Sequence, residues 1–456
     1  MIIPDHYKAQ VKELLESGVR TFSFRFEDIQ WVDQPTYPGR DAVFAPSLAA
    51  RFADSEPDAD VFFLDLYRMG SFRAEWLTEL VTHPSGAFSD LEERFRPAFH
   101  AAGRLGEGAS AGVYAVPWSA QFNALYYRSD LVPEPPKTLS ELVTACERAA
   151  DHGIPRSVRY CLLLDWESVH NDLYPLLWSV GSGDSGKLAT EVVTSLLADL
   201  ALGMGKELRP GFLLLPPARA MPEVGQAVHR RFAHGEAVMM VSWSNRYRFM
   251  RDEQSRDGGT MPPTGLAPLP SVTPGARWSN LGAWGWIVPR APEKASAAAK
   301  ERHDLAIRFV AELSSREAAA FFADRFGLIP ARRDVPVPAE LAPALAPELH
   351  AALDGRPTGN GSFQFRDRTS DEFVHVFLRD ALKDVLTCPA PPRVARVASR
   401  VEVSGECRRY LNECLESGSG ATEDSCLRIA IGRRLQAADR EIDAVHGHAP
   451  VSRPAP

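Results

Sequence analysis

The stretch "YAVPWSAQFNALYYRSDLVPEPPKTLSELV", Tyr114 to Val143, decides how this chain is read. It passes Pro117 and Trp118, enters the apolar run Ala124 to Tyr127, breaks on prolines and opens a helix at Thr138. What such a segment connects depends on what the rest of the chain can do.

A chain of 456 residues is long for one core, which predicts two lobes or domains. Apolar residues at 45% and charged residues at 24% fit a folded, water-soluble protein. A formal charge of -8 argues against nucleic acid, because phosphate binding needs a net basic face. No stretch approaches the roughly 20 apolar residues needed to span a bilayer. The start "MIIPDHYKAQVKELLESG" lacks the basic, apolar and small-residue segments of a secretory signal, which leaves either a cytoplasmic protein or an export signal upstream.

Four of the six cysteines crowd the tail as Cys388, Cys407, Cys414 and Cys426, and disulfides there would close short loops in any of three pairings. This favours an oxidising compartment. A zinc site in the tail is disfavoured, since no CxxC or nearby His pair has ligand spacing, and His446 and His448 are too close together. Cys146 and Cys161 read as buried apolar packing.

Periodicity predicts an amphipathic helix over 5–17, and "TFSFRFEDIQW" alternates as a half-buried strand does. "DADVFFLDLYRMGSF" holds a short strand, Val61 to Leu66, with Asp65 near its end. An acid there reads equally as a ligand contact or as a loop hydrogen bond. Helices are expected at 138–150 and 191–203 with a strand in "PRSVRYCLLLDW" between them, then a strand from Ala237 to Val241 after Gly235. The Gly- and Pro-rich run that carries Trp278, Trp284 and Trp286 excludes a helix. Two helices joined by "SSRE" end at Gly327, and a last helix spans about Ser425 to Val445 before a disordered "HGHAPVSRPAP". This alternation predicts an α/β class with mainly parallel sheets.

Catalytic spellings fail on context. "GASAG" is followed, not preceded, by a strand, the reverse of a hydrolase elbow, and "GDSG" has no matching His and Asp. No phosphate loop, zinc-protease motif or dinucleotide fingerprint is present. Tryptophans carry the stronger signal: Trp118, Trp243, Trp284 and Trp286 fall in loops or at strand ends, where aromatic faces suit sugar rings. For any one of them, core packing is the simpler reading.

With these residues in hand, "AVPWSAQFNALYYRSDLVPEPPKTLSELV" resembles the hinge segment of extracellular solute-binding proteins of ABC importers, the maltose-binding-protein-like family 1. "FAHGEAVMMVSW", "LGAWGWIVPR", "AIRFVAELSSREAAAFFADRFGLIPARRDV" and "DADVFFLDLYRMGSFRAEWLTEL" are similar to further family segments in the same order, so that the resemblance covers most of 5–385. It implies a type II two-lobe periplasmic-binding-protein fold, each lobe a mainly parallel sheet flanked by helices, with a ligand cleft at the hinge. The implied division is 1–122 and 282–330 for lobe 1, 123–281 for lobe 2, 331–386 for lobe 2 or hinge-packing helices, and 387–456 for a Cys-containing extension. In that frame Ala124 to Tyr127 crosses between lobes and ligand-driven closure is a hinge motion.

Position by position, the resemblance implies ligand contacts from Asp65, Trp118, Gln121, Glu167 and Trp284, with Trp243 and Arg332 beside them; Gln121 stands where many sugar binders have an acid. An amide still donates to and accepts from hydroxyls. Two departures stand out: "VSWSN" replaces the usual Gly-Pro-Trp, and the family's first strand is expected to be missing, with only "MIIP" before the first helix. The expectation is then a downstream part of a longer polypeptide, or an export signal upstream. The implied function is capture of a sugar or oligosaccharide by a monomer that serves ABC permease subunits, with no cofactor, no metal and no enzyme activity. The alternatives are a fused or cytoplasmic ligand-sensing module on the same fold, and an enzyme on a similar scaffold.

Overall fold

The computed structural model describes residues 2–3, 5–33, 59–66, 69, 72–106, 111–165, 169–177, 190–216, 225–256, 258–272, 279, 281–292, 294–345, 353, 380–388, 405–417 and 422–448. The chain divides into two compact units, 1–122 with 281–372 and 123–280 with 373–456. The strand Ala115–Arg128 runs unbroken through the boundary at Phe122. Thirteen of its fourteen residues are buried, which is why the run reads as almost continuously apolar.

In the first unit the sheet order is Val32–Asp33, Ile2–Ile3, Phe62–Asp65, Leu281–Ile287 and the first half of the long strand, with Ile329–Pro330 also paired to that half. The first three strands are parallel and the last three antiparallel to their neighbours. The strand expected to be missing is present: Ile2 and Ile3 pair with Val32 and Asp33, and Ile2 with Phe62. Two β-branched residues before Pro4 suffice, because their short strand has a partner strand on both sides, with Ile2 paired to both.

Helix Asp5–Glu16 follows at once and buries Tyr7, Val11 and Leu14, one face at helical spacing. The alternating "TFSFRFEDIQW" is not a strand. Its middle is the 3-10 turn Phe26–Asp28, held by an Arg25–Asp28 ion pair at 2.9 Å and by stacking of Phe26 on Trp31, while Phe24 packs on Phe309. Local side-chain bonds there outweigh the alternation. Helices Ala297–Leu313 and Arg316–Phe326 start on Ser296 and Ser315, whose hydroxyls accept from the third backbone N–H, and the second stops at Gly327 with φ 65°.

In the second unit the latter half of the long strand pairs antiparallel with Ala237–Trp243 and Thr264–Ala267, and Ala237–Trp243 continues to parallel Tyr160–Leu163, then Phe212–Leu213 and Glu207–Arg209. Helices Leu139–Asp151 and Glu191–Gly203 are capped by the Thr138 and Thr190 hydroxyls.

The tail is part of this unit's core. Helices Glu406–Glu416 and Glu423–His448 pack on each other, and the second packs on Glu191–Gly203, burying Leu411, Leu427, Ile431 and Leu435 with Val193 and Leu197. The last helix therefore runs through His446 to His448. All six cysteines are paired, Cys146–Cys161, Cys388–Cys407 and Cys414–Cys426. Cys146 and Cys161 are buried as expected but bonded to each other, because helix Leu139–Asp151 lies on the strand that carries Cys161 and brings their Cα atoms to 5.6 Å.

Candidate functional site

In open α/β sheets ligands gather at the carboxyl ends of the strands. In the first unit that end is marked by Asp65, the last residue of its strand. The register across the sheet sets Trp284 opposite Asp65 on one side and opposite Ser119 on the other, with Pro330 opposite Ser119 in turn. Two residues along, Gly282 lies opposite Gln121. Asp65, Trp284, Ser119 and Gln121 thus belong to adjacent rows of one sheet end, and a glycine leaves room beside the amide.

Asp65 and Trp284 are half-buried, whereas Gln121 is 9% exposed. Gln121 Oε1 and Ser119 Oγ make no hydrogen bond within the protein. Buried polar atoms without partners are costly and mark places where an outside partner completes the set.

Trp118 is not exposed at this end. It is 2% exposed and ringed by Tyr7, Phe63, Trp286 and Phe322, with centroids 4.0 to 5.8 Å away. The cause is a bulge: Gly285 pairs with Pro117 and Trp284 with Ser119, which makes Trp118 the extra residue and turns its ring into the core. Trp286 is fully buried in the same cluster. Trp284 is the tryptophan at the rim, resting on Phe63 at 5.3 Å and Tyr7 at 4.7 Å.

Arg332 is occupied with structure. Its guanidinium makes a two-pronged pair with Asp334 at 2.8 and 2.7 Å and donates to Ser314 O at 3.3 Å, where helix Ala297–Leu313 ends. That pair holds the Asp334 carboxyl below the usual carboxylate range.

In the second unit Trp243 is half-buried and opposite Asn123. The turn after it is pinned by the Tyr126 hydroxyl, which lies 2.7 Å from Trp243 O and 2.9 Å from Ser244 O and accepts from Tyr247 N–H at 3.0 Å. This anchoring is what "VSWSN" does locally. Glu167 lies outside the described residues.

The sequence reading passed over Glu167's neighbours. Asp165 and Asp172 are buried beyond the strand Tyr160–Leu163, and Asp172 accepts from Asp165 N–H at 2.7 Å and from Asn123 Nδ2 at 3.2 Å. Burial and the nearby Asp165 carboxylate push the Asp172 carboxyl well above its ordinary range. Asn123 is wholly enclosed, and its Oδ1 makes no hydrogen bond. The signal in "DWESVHND" is a pair of acids seven apart, a spacing that shares a face only if one helix holds both, and here the helix Val169–Leu177 begins after Asp165. The arrangement in both units offers acceptors, amides and one aromatic rim.

No curated protein matches this sequence. Solved structures match it over nearly the whole length. Maltose-bound T. maritima MalE3 has a TM-score of 0.60 at 19% identity, over 94% of this chain and 95% of that one. A ribitol-bound ABC-transporter solute-binding protein from Agrobacterium radiobacter K84 has 0.62 at 16%, over 96% and 97%. UgpB from Mycobacterium tuberculosis, bound to glycerophosphocholine, has 0.57 at 15%, over 96% of both chains. At these identities the likeness is one of fold, that of two-lobe periplasmic binding proteins. The family model for the bacterial extracellular solute-binding protein matches residues 26–320, more than half of the chain, and this protein belongs to that family.

Proposed function

We propose that this protein captures a sugar, sugar alcohol or oligosaccharide outside the cell and delivers it to the permease of an ABC importer. The observation that carries this reading is the end of the first unit's sheet, where Asp65, Ser119 and Gln121 surround the rim of Trp284. A carboxylate accepts from sugar hydroxyls, an amide both donates and accepts, and an indole face covers the C–H side of a sugar ring. Binding of this kind needs no covalent step. The relatives' bound maltose and ribitol support a polyhydroxylated ligand. Three disulfides support an oxidising, extracytoplasmic setting.

A thermal-shift panel of maltose, longer maltodextrins, ribitol and tagatose tests this. A ligand at about 100 times its Kd adds about 2.7 kcal/mol of apparent stability. The expected result is a raised midpoint with at least one polyol. Asp65→Asn and Gln121→Ala should reduce the rise and leave the ligand-free midpoint near that of the parent. A folded protein that responds to none of them, or whose response survives both substitutions, would overturn the reading.

A further inference from the structure

The other end of the first unit's sheet carries a different chemistry. The strand Leu281–Ile287 reaches Asp65 with Trp284 and the start of Phe62–Asp65 with Ile287, so the residues just after Ile287 lie at the opposite end from the candidate sugar site. There a cavity of about 910 Å³ is lined by His83, Ser85, Lys300, His303, Asp304 and Arg308 among others. One ring nitrogen each of His83 and His303 and a carboxylate oxygen of Asp304 lie within 4.8 Å of one another.

The His303 imidazole is held as a metal-binding imidazole is. Thr78 Oγ1 donates to Pro289 O at 2.9 Å, so its 2.8 Å contact with His303 Nε2 is one in which the ring N–H donates. That fixes the proton on Nε2 and leaves the lone pair on Nδ1. A ligating histidine typically gives its second N–H to such an outer partner, which orients the ring. His83 Nδ1 accepts from Ser85 N–H at 3.3 Å and lies 2.9 Å from Ser85 Oγ, so an ion held by Nε2 takes the place of that nitrogen's proton, which passes to Nδ1 or to solvent.

The loop that carries His83 is fixed rather than extended. Gly86 N–H donates to His83 O at 2.9 Å with Gly86 at φ 65°, Leu80 N–H donates to Val113 O at 2.8 Å, and Thr78 N–H to Val288 O at 2.9 Å. His303 and Asp304 are neighbours on helix Ala297–Leu313, so loop and helix hold the three donors from rigid elements.

We propose that His83, His303 and Asp304 form a site for a divalent transition-metal ion of the zinc class, separate from the sugar site. Two imidazoles and one carboxylate suit zinc, nickel or copper(II) better than calcium or magnesium, which prefer oxygen-only sets. Three protein donors leave at least one coordination position for water or for a donor atom of a partner. Lys300 and Arg308 line the same cavity and favour an anionic donor in that position.

The test is calorimetric titration of zinc chloride into chelator-treated protein, with cobalt(II) absorption as a second readout of coordination. The parent should bind one zinc ion at this site and show cobalt d–d bands. His83→Ala with His303→Ala should abolish that site and the bands, while the melting midpoint of the metal-free protein stays close to the parent's. Thr78→Val, which removes the outer partner of His303 together with its own bond to Pro289 O, should weaken zinc binding about 10- to 100-fold. His446→Ala with His448→Ala should leave it unchanged. Unaltered zinc affinity in the His83/His303 variant, loss of it in the His446/His448 variant, displacement by equimolar calcium, or a parent that binds no zinc would each overturn the proposal.

Discussion

Arg434 Nε lies 3.0 Å from Asp384 Oδ2, and the two side chains are 3% and 2% exposed. The same carboxylate accepts the Cys407 backbone N–H at 3.2 Å, and Glu406 comes within 3.5 Å of the guanidinium. The pair thereby ties three tail segments together inside the second unit's core. Removing one partner of a buried ion pair strands the other and typically costs about 3–5 kcal/mol. Arg434→Met should therefore lower the urea midpoint of the second unit's transition strongly, and Arg434→Met with Asp384→Leu should recover much of the loss. A single variant as stable as the parent would mean that the tail does not depend on this pair.

The Cys388–Cys407 disulfide closes a loop with a sequence separation of 19 beside that pair. The loop-entropy relation assigns a crosslink of this span about 3 kcal/mol. Cys388→Ser with Cys407→Ser should lose about that much, and dithiothreitol should lower the parent's midpoint while leaving the variant's more nearly unchanged. Equal sensitivity of both to reductant would place the effect in the other two disulfides.

His229 is nearly fully enclosed, with Nε2 2.7 Å from Ser242 Oγ. Burial, reinforced by Arg246, depresses its pKa well below 6.5. The sign follows from linkage. Below about pH 6.5 the unfolded imidazole takes up a proton that the folded one refuses, so stability falls as pH falls through that window and is intact above it. His229→Gln should flatten this part of the stability profile between pH 4.5 and 7, read from urea midpoints. A difference between parent and variant that does not change with pH would refute the assignment.

Long apolar or well-punctuated segments were legible in the sequence. The run Ala124 to Tyr127, the Thr138 cap and the Gly327 stop declare themselves through burial, hydroxyl capping and positive φ, which are local. What depends on partners far along the chain was not legible. The bulge that turns Trp118 inward is set by the return strand Leu281–Ile287, more than 150 residues later. Arg332 is a nearer case: its carboxylate partner Asp334 stands two residues on and Ser314 O eighteen before, and sequence alone does not show that the guanidinium turns to them and not to a ligand. Ile2–Ile3 is too short to be read as a strand without Val32 and Phe62 beside it. Asp165 and Asp172 meet because the helix Val169–Leu177 brings Asp172 back to the Asp165 backbone N–H.

Two glycines give opposite expectations for the same substitution. At Gly285, between Trp284 and Trp286, an added Cβ would sit 2.7 Å from Val116 O and 2.7 Å from Leu66 Cδ2. Leu66 can rotate, but the Val116 carbonyl belongs to the sheet backbone beside the Trp118 bulge and cannot yield without disturbing the ladder. Overpacking of this sort costs about 1–3 kcal/mol, and Gly285→Ala should also weaken any sugar response, because Trp284 is the adjacent residue. At Gly432, inside helix Glu423–His448, the new methyl would meet Thr194 Cγ2 at 3.8 Å, an ordinary contact. There the gain in helix propensity dominates, and Gly432→Ala should raise stability by up to about 1 kcal/mol. Urea unfolding of both variants measures the contrast. If Gly285→Ala proved neutral, the strand would have to shift away from Val116; if Gly432→Ala destabilised, the tail helix would have to pack closer to Thr194 than 3.8 Å.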